Sequence, residues 1–134
     1  MNPSSRRQFL KTSTAAAGAS LIAAPAIAKS RLSANDRIRV AMVGLGGRMS
    51  SHIGCLAAMA DTDNVEIVAI CDCDQSKLDS APKRYRGLEG LKLKTFTDQK
   101  ALFDDPSIDA VSFSTPDHWH ALQTIWACQA GKDV

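Results

Sequence analysis

Apolar positions along the chain fall into three near-continuous runs separated by stretches of helical period. Ile38–Val43 (IRVAMV), Val65–Cys71 (VEIVAIC) and residues 109–114 (DAVSFS) each read as a strand buried on both faces. Residues 48–60 place Ile53, Leu56, Ala57 and Ala60 on one helical stripe. Residues 75–86 predict a weaker helix, which Pro82 should break or kink. Residues 61–64 read as a turn and 87–90 as a loop. Residues 92–96 alternate in polarity, as a short strand near a sheet edge does. Asp98 can cap a short helix through Phe103, and 104–107 form a turn. Asp117 can cap a further helix to about Ala130, which Gly131 is suited to terminate. Asp133 and Val134 begin another strand. Strands alternating with helices predict an α/β fold, a doubly wound parallel sheet. Right-handed crossovers then bring the loops after the strands to one sheet edge.

Composition changes this picture little. With 45% hydrophobic and 22% charged residues, the 134-residue chain is neither disordered, collagen-like nor a coiled coil. Its net charge of +2 is unevenly spread. Residues 1–28 hold Arg6, Arg7 and Lys11 and no acid, which leaves 13 basic against 14 acidic residues from Lys29 onward. The basic character belongs to that leader, so no nucleic-acid footprint is expected. The leader has a charged start, a mildly apolar stretch from Ala15 to Ala24, and Ala26-Ile27-Ala28, which fits cleavage before Lys29. Because this stretch is Ala-rich and interrupted by Gly18, Ser20 and Pro25, a retained transmembrane anchor is the weaker reading. Ser5-Arg6-Arg7-Gln8-Phe9-Leu10-Lys11 matches the twin-arginine export signal. The expected organisation is therefore a signal peptide (1–28), a linker (29–36) and one domain (37–134). The expected destination is the periplasm or beyond, through the twin-arginine export machinery, which carries folded proteins.

Candidate chemistry gathers at the strand ends. Gly44-Leu45-Gly46 lies between a strand and a helix. There the first glycine permits a tight turn and the second lets backbone approach a pyrophosphate at the helix N-terminus. The third position of the G-x-G-x-x-G pattern is Met49, which implies a wider helix–strand separation or a shifted helix start. Asp72 ends the second strand. A carboxylate there can accept both hydroxyls of an adenosine ribose and repel a 2′-phosphate, which favours NAD over NADP. Lys77 or Lys83 could instead receive a phosphate, so NADP stays open. Ser114 and Thr115 offer hydroxyls where the nicotinamide half should lie, and His120 falls in the first turn of the next helix. No metal site is expected. His118 and His120 are two apart on a helix without accompanying carboxylates, and Cys71-x-Cys73 lacks the C-x-x-C spacing. Cys55 and Cys128 have apolar helix neighbours and read as buried thiols, free because folding precedes export. His52 reads as a packing or surface residue. Trp119 and Trp126 suit either core or a surface that a second domain covers.

Taken together, these segments resemble the Gfo/Idh/MocA oxidoreductases. The matching residues are Val43-Gly44-Leu45-Gly46-Gly47-Arg48, Ala69-Ile70-Cys71-Asp72, Asp109-Ala110-Val111, Ser114-Thr115-Pro116-Asp117-His118-Trp119-His120 and Ala130-Gly131-Lys132-Asp133-Val134. The resemblance implies a Rossmann fold that binds a dinucleotide through Gly44, Gly46, Gly47, Arg48, Asp72, Ser114, Thr115 and His120. It also implies a larger second domain carrying the carbohydrate-like substrate and often the dimer interface. The family's Glu-Lys-Pro motif, whose Lys serves in proton transfer, has no counterpart before Val134. The chain is accordingly read as the N-terminal part of a longer protein, truncated before the second domain, with no catalytic residue of its own. For that parent the expectation is an NAD(P)-dependent oxidoreductase acting on a sugar, polyol or related carbinol. An NAD-dependent glycosidase of the α-N-acetylgalactosaminidase kind and a non-catalytic dinucleotide-binding module are the alternatives.

Overall fold

The computed structural model describes residues 37–134. The expected signal peptide and linker, 1–28 and 29–36, lie outside the described residues. Ile38–Val43 (β1), Val65–Cys71 (β2), Lys94–Phe96 (β3) and Ala110–Phe113 (β4) form one parallel sheet in the order β3-β2-β1-β4. Met49–Met59 (α1), Gln75–Arg84 (α2), Gln99–Phe103 (α3) and Asp117–Gln129 (α4) alternate with the strands. The doubly wound fold expected from the rhythm is the observed one. Strand order reverses between β1 and β4, and that is where an open α/β sheet offers its crevice. Asp133 bridges to Ala110 and extends the sheet beyond β4, as the run after Gly131 predicts.

The core is two layers, one on each face of the sheet. Val40, Met42, Ile67 and Ile70 pack with Met49, Ile53, Leu78, Ala81, Tyr85 and Leu88 under α1 and α2. Ala41, Val43, Ala69, Cys71 and Val111 pack with Leu102, Phe103 and Ala127 under α3 and α4. Each apolar strand therefore feeds both layers by simple alternation. One irregularity changes the phase. Val40 pairs with Ile67 but Ala41 with Ala69, so β2 carries an extra residue, Val68. After this bulge Ile70 faces the α1/α2 layer and Cys71 the other, and the next residue, Asp72, is aimed back toward the loop after β1.

Several local expectations need correction. The buried line of α1 is Met49 and Ile53 with Leu56 partly covered, while Ala57 is exposed. The helix starts one turn earlier on the core than its alanines imply, because Met49 itself is the anchor. Pro82 removes one donor, yet α2 runs two residues past it before Tyr85 turns extended. Asp117 is not a cap. Pro116 precedes the helix, and Asp117 sits in its first turn, where a negative charge meets the positive end of the helix dipole. Cys55 and Cys128 are exposed rather than buried, because both helices turn those positions away from the sheet. All four cysteines are free thiols.

Candidate functional site

Four strand ends and their loops meet at one edge of the sheet. The loop after β1 is the best defined. Gly44 has φ +86°, and its amide donates to the Cys71 carbonyl at 2.8 Å. A Cβ at Gly44 would stand 2.8 Å from Thr115 Cγ2 and 3.0 Å from Ser114 backbone carbon. This glycine is therefore required by the fold itself, since it lets β1 and β4 close against each other. Gly46 and Gly47 differ. A Cβ at Gly46 would meet only Ser114 O at 3.9 Å, and one at Gly47 nothing within 4 Å. Their amides have no hydrogen-bond acceptor among the described residues. Arg48 is exposed at the helix entry, without an ion pair among the described residues. α1 has no side-chain cap and no acid in its first turn.

Met49 clarifies the missing third glycine. It opens α1 and is fully buried in the α1/α2 layer. Its side chain packs with Val40 and Met42 of β1 in the layer between helix and sheet, so a methionine fills the space that the third glycine would leave.

Asp72 is 7% exposed at the end of β2. Its Oδ2 accepts the Leu45 amide at 2.8 Å, and its Oδ1 accepts the Asp74 amide at 3.0 Å. Lys77 Nζ lies 3.4 Å from Oδ1 and 3.5 Å from Oδ2. The carboxylate is thus tied to the glycine loop and shares its charge with Lys77. Lys83, the other lysine named above as a phosphate partner, has no such link to Asp72. A second tether was not legible in the sequence. The Tyr85 hydroxyl sits 2.8 Å from Leu45 O and 3.0 Å from Gly46 O, and the residue is 4% exposed. Its single signal is that Tyr85 is the only tyrosine in the chain.

The turn after β4 forms the opposite wall. By strand alternation Ser112 and Ser114 face α1, and Ser112 Oγ is 2.8 Å from His52 Nδ1. Ser114 Oγ is buried with no hydrogen-bond partner. Thr115 faces the other side, where its hydroxyl donates to Gln123 Oε1 at 2.6 Å. Gln123, 3% exposed, passes its own amide to Gln99 Oε1 at 2.6 Å. His120 Nε2 donates to the Thr115 carbonyl at 2.8 Å, so this exposed ring braces the turn through one nitrogen. Trp126 packs on the α3/α4 layer with Lys100 Nζ 4.5 Å above its ring, whereas Trp119 is exposed. Among the described residues no cluster of three or more His, Cys, Asp or Glu is placed to hold a metal ion.

The electrostatics mark supports rather than reactive groups. Burial pushes the Cys71 thiol up to about 12, which makes it a packing group. Hydrogen bonds from Ser76 hold Asp74, the cap of α2, below the usual carboxylate range. At the far end of the sheet the Arg39 guanidinium does the same to Asp109, with contacts of 2.7 and 2.9 Å. Among the described residues, what the near edge offers is two backbone amides without an acceptor, those of Gly46 and Gly47, and one buried hydroxyl without a partner, that of Ser114. Such a donor set suits an anion without charged ligands of its own.

Comparison with known proteins places the fold in a family. Residues 38–134 match the family described as "Oxidoreductase family, NAD-binding Rossmann fold", GFO_IDH_MocA. Residues 3–25 match the twin-arginine translocation pathway signal sequence, which directs export to the periplasm or beyond. A glycosyl hydrolase family 109 protein of Stenotrophomonas maltophilia is 33% identical over 96% of this chain, and the match spans 28% of that relative. The WlbA dehydrogenase of Bordetella pertussis, solved with NADH and UDP-GlcNAcA, superposes with a TM-score of 0.61 at 29% identity. That match covers 72% of this chain and 27% of the other. Scyllo-inositol dehydrogenase of Lactobacillus casei, solved with NAD(H) and scyllo-inositol, gives 0.59 at 27% identity, over 72% and 26%.

Proposed function

The chain belongs to the Gfo/Idh/MocA oxidoreductase family through its NAD-binding Rossmann domain, and from that premise we propose that it is the cofactor-binding part of an exported enzyme oxidising or reducing a sugar, polyol or related carbinol. One observation carries the placement of the cofactor. The Gly46 and Gly47 amides, without an acceptor among the described residues, and the buried, unpartnered Ser114 hydroxyl lie on the loops after β1 and β4, the two strands between which strand order reverses. The residues fit the group. Gly46 and Gly47 leave the space a phosphate needs, and their amides supply its donors. Asp72 has acceptor capacity left for a ribose hydroxyl beside its two amide bonds, and Arg48 is free to reach an outer phosphate oxygen. Ser114 and Thr115 line the side toward the nicotinamide, where Thr115 offers lone pairs because its proton is committed to Gln123. His120 serves there by bracing the turn. The bound dinucleotide supplies hydride acceptance and donation, and the protein positions and shields it.

We further propose cleavage of the leader before Lys29, with the cofactor domain occupying 37–134. A second reading rests on the S. maltophilia relative, which bears a glycoside hydrolase name. There the dinucleotide would act without net turnover. The two separate in an assay of a gene product of the relatives' length. Net NADH formation from a sugar alcohol supports the dehydrogenase. Release of nitrophenol from a nitrophenyl glycoside without net NADH supports the glycosidase. Failure of the protein to bind NAD at all sinks both.

A further inference from the structure

Tyr85 lies neither in the glycine-rich loop nor on a strand, yet its hydroxyl contacts two of the loop's carbonyls. The Gly46 carbonyl also accepts the Met49 amide at 3.2 Å, whereas the Leu45 carbonyl has only the hydroxyl among the described residues. The hydroxyl stands between the Leu45 and Gly46 carbonyls at 2.8 and 3.0 Å. In a planar trans peptide the C=O and the following N–H point in opposite directions. Holding those two carbonyls inward therefore turns the Gly46 and Gly47 amides outward, toward the crevice. The alternative, a flipped peptide, costs little in a loop of three glycines unless something opposes it. The tyrosine is itself fixed. It is 4% exposed in the α1/α2 layer, Arg84 lies 5.4 Å above its ring, and its amide bonds Ala81 O at 2.9 Å. The following turn is clamped to α1 as well, since a Cβ at Gly87 would lie 2.8 Å from Ile53 Cγ2.

We propose that Tyr85 is a positioning residue for the dinucleotide pyrophosphate, acting through the Leu45 and Gly46 carbonyls to aim the Gly46 and Gly47 amides. This rests on the cofactor placement proposed above. Its effect should be confined to ligands that carry phosphate.

The test compares adenosine and ADP binding by the native chain, by Tyr85→Phe, and by a chain with 4-aminophenylalanine at position 85. Amide resonances of Gly46 and Gly47 are followed alongside, and melting temperature reports folding. Tyr85→Phe should lose about tenfold in ADP affinity, the equivalent of one hydrogen-bonded contact, with adenosine affinity unchanged. The ADP-induced shifts of the two glycine amides should shrink with it. The 4-aminophenylalanine chain, which keeps a donor, should recover most of the loss. Equal losses for both ligands would assign Tyr85 a merely structural role and overturn the proposal, as would an unchanged ADP affinity. If the native chain binds adenosine and ADP equally well, the cofactor placement itself falls.

Discussion

The Leu45 amide donates to Asp72 Oδ2 at 2.8 Å, so the acid that ends β2 and the loop that ends β1 are one unit. Lys77, 3.4 Å away, is the third member. An added 2′-phosphate would bring negative charge against a buried carboxylate, where repulsion is strong. Asp72→Ser should weaken NAD and improve NADP, shifting their affinity ratio by about tenfold or more. Because Lys77 loses its partner in that variant, Asp72→Ser with Lys77→Ala should give back much of the NADP gain. Titration of both cofactors against the three proteins checks this, and an unchanged ratio would leave Asp72 as a loop anchor only.

The two glycines of the loop should separate folding from binding. Gly44→Ala forces a Cβ to within 3.0 Å of the Ser114–Thr115 backbone at a φ of +86°. It should cost about 2–4 kcal/mol of stability from strain and displacement. Gly46→Val brings its Cβ only into ordinary contact with Ser114 O, at 3.9 Å, and should leave the urea midpoint nearly unchanged. It should still lower NAD affinity at least about tenfold, because its side chain stands where the pyrophosphate approaches. Denaturation and NAD titration on the same two variants decide it.

Restoring a glycine at the third motif position should harm this protein. Met49 is fully buried, so Met49→Gly removes a core side chain and adds backbone freedom in the first turn of α1. A loss of roughly 3–5 kcal/mol is expected, the sum of a large-to-small core change and a helical glycine. A glycine variant as stable as the native chain would mean that Met49 is not the anchor of α1.

Acid should act at the far end of the sheet. Hydrogen bonds from Arg39 hold Asp109 below its usual range, and Lys94 and Ser107 do the same for Asp105. A carboxylate depressed in the folded state contributes stability that is complete above its unfolded value and lost as pH falls through its folded value. The window is therefore below about pH 4. Asp105→Asn with Asp109→Asn should flatten the decline of the urea midpoint across that window and lower the midpoint at pH 7. Both carboxylates are partly exposed or at the surface, so high salt should reduce the effect.

The order of elements, the parallel sheet, the glycine loop and its acid were legible in the chain itself. Continuous apolar runs, a glycine pair at a strand end and an acid at the next strand end are local patterns with local causes. The face on which each residue lies was not legible. A strand such as VEIVAIC is apolar on both sides, so its phase leaves no trace in polarity, and the extra residue at Val68 reverses that phase unseen. Only that bulge aims Asp72 at Leu45. The same limit hid the burial of Met49, the exposure of Cys55 and Cys128, and the reach of Tyr85 across 40 residues to Leu45. Each depends on how helices settle on the sheet, which packing between distant segments decides and no local pattern records.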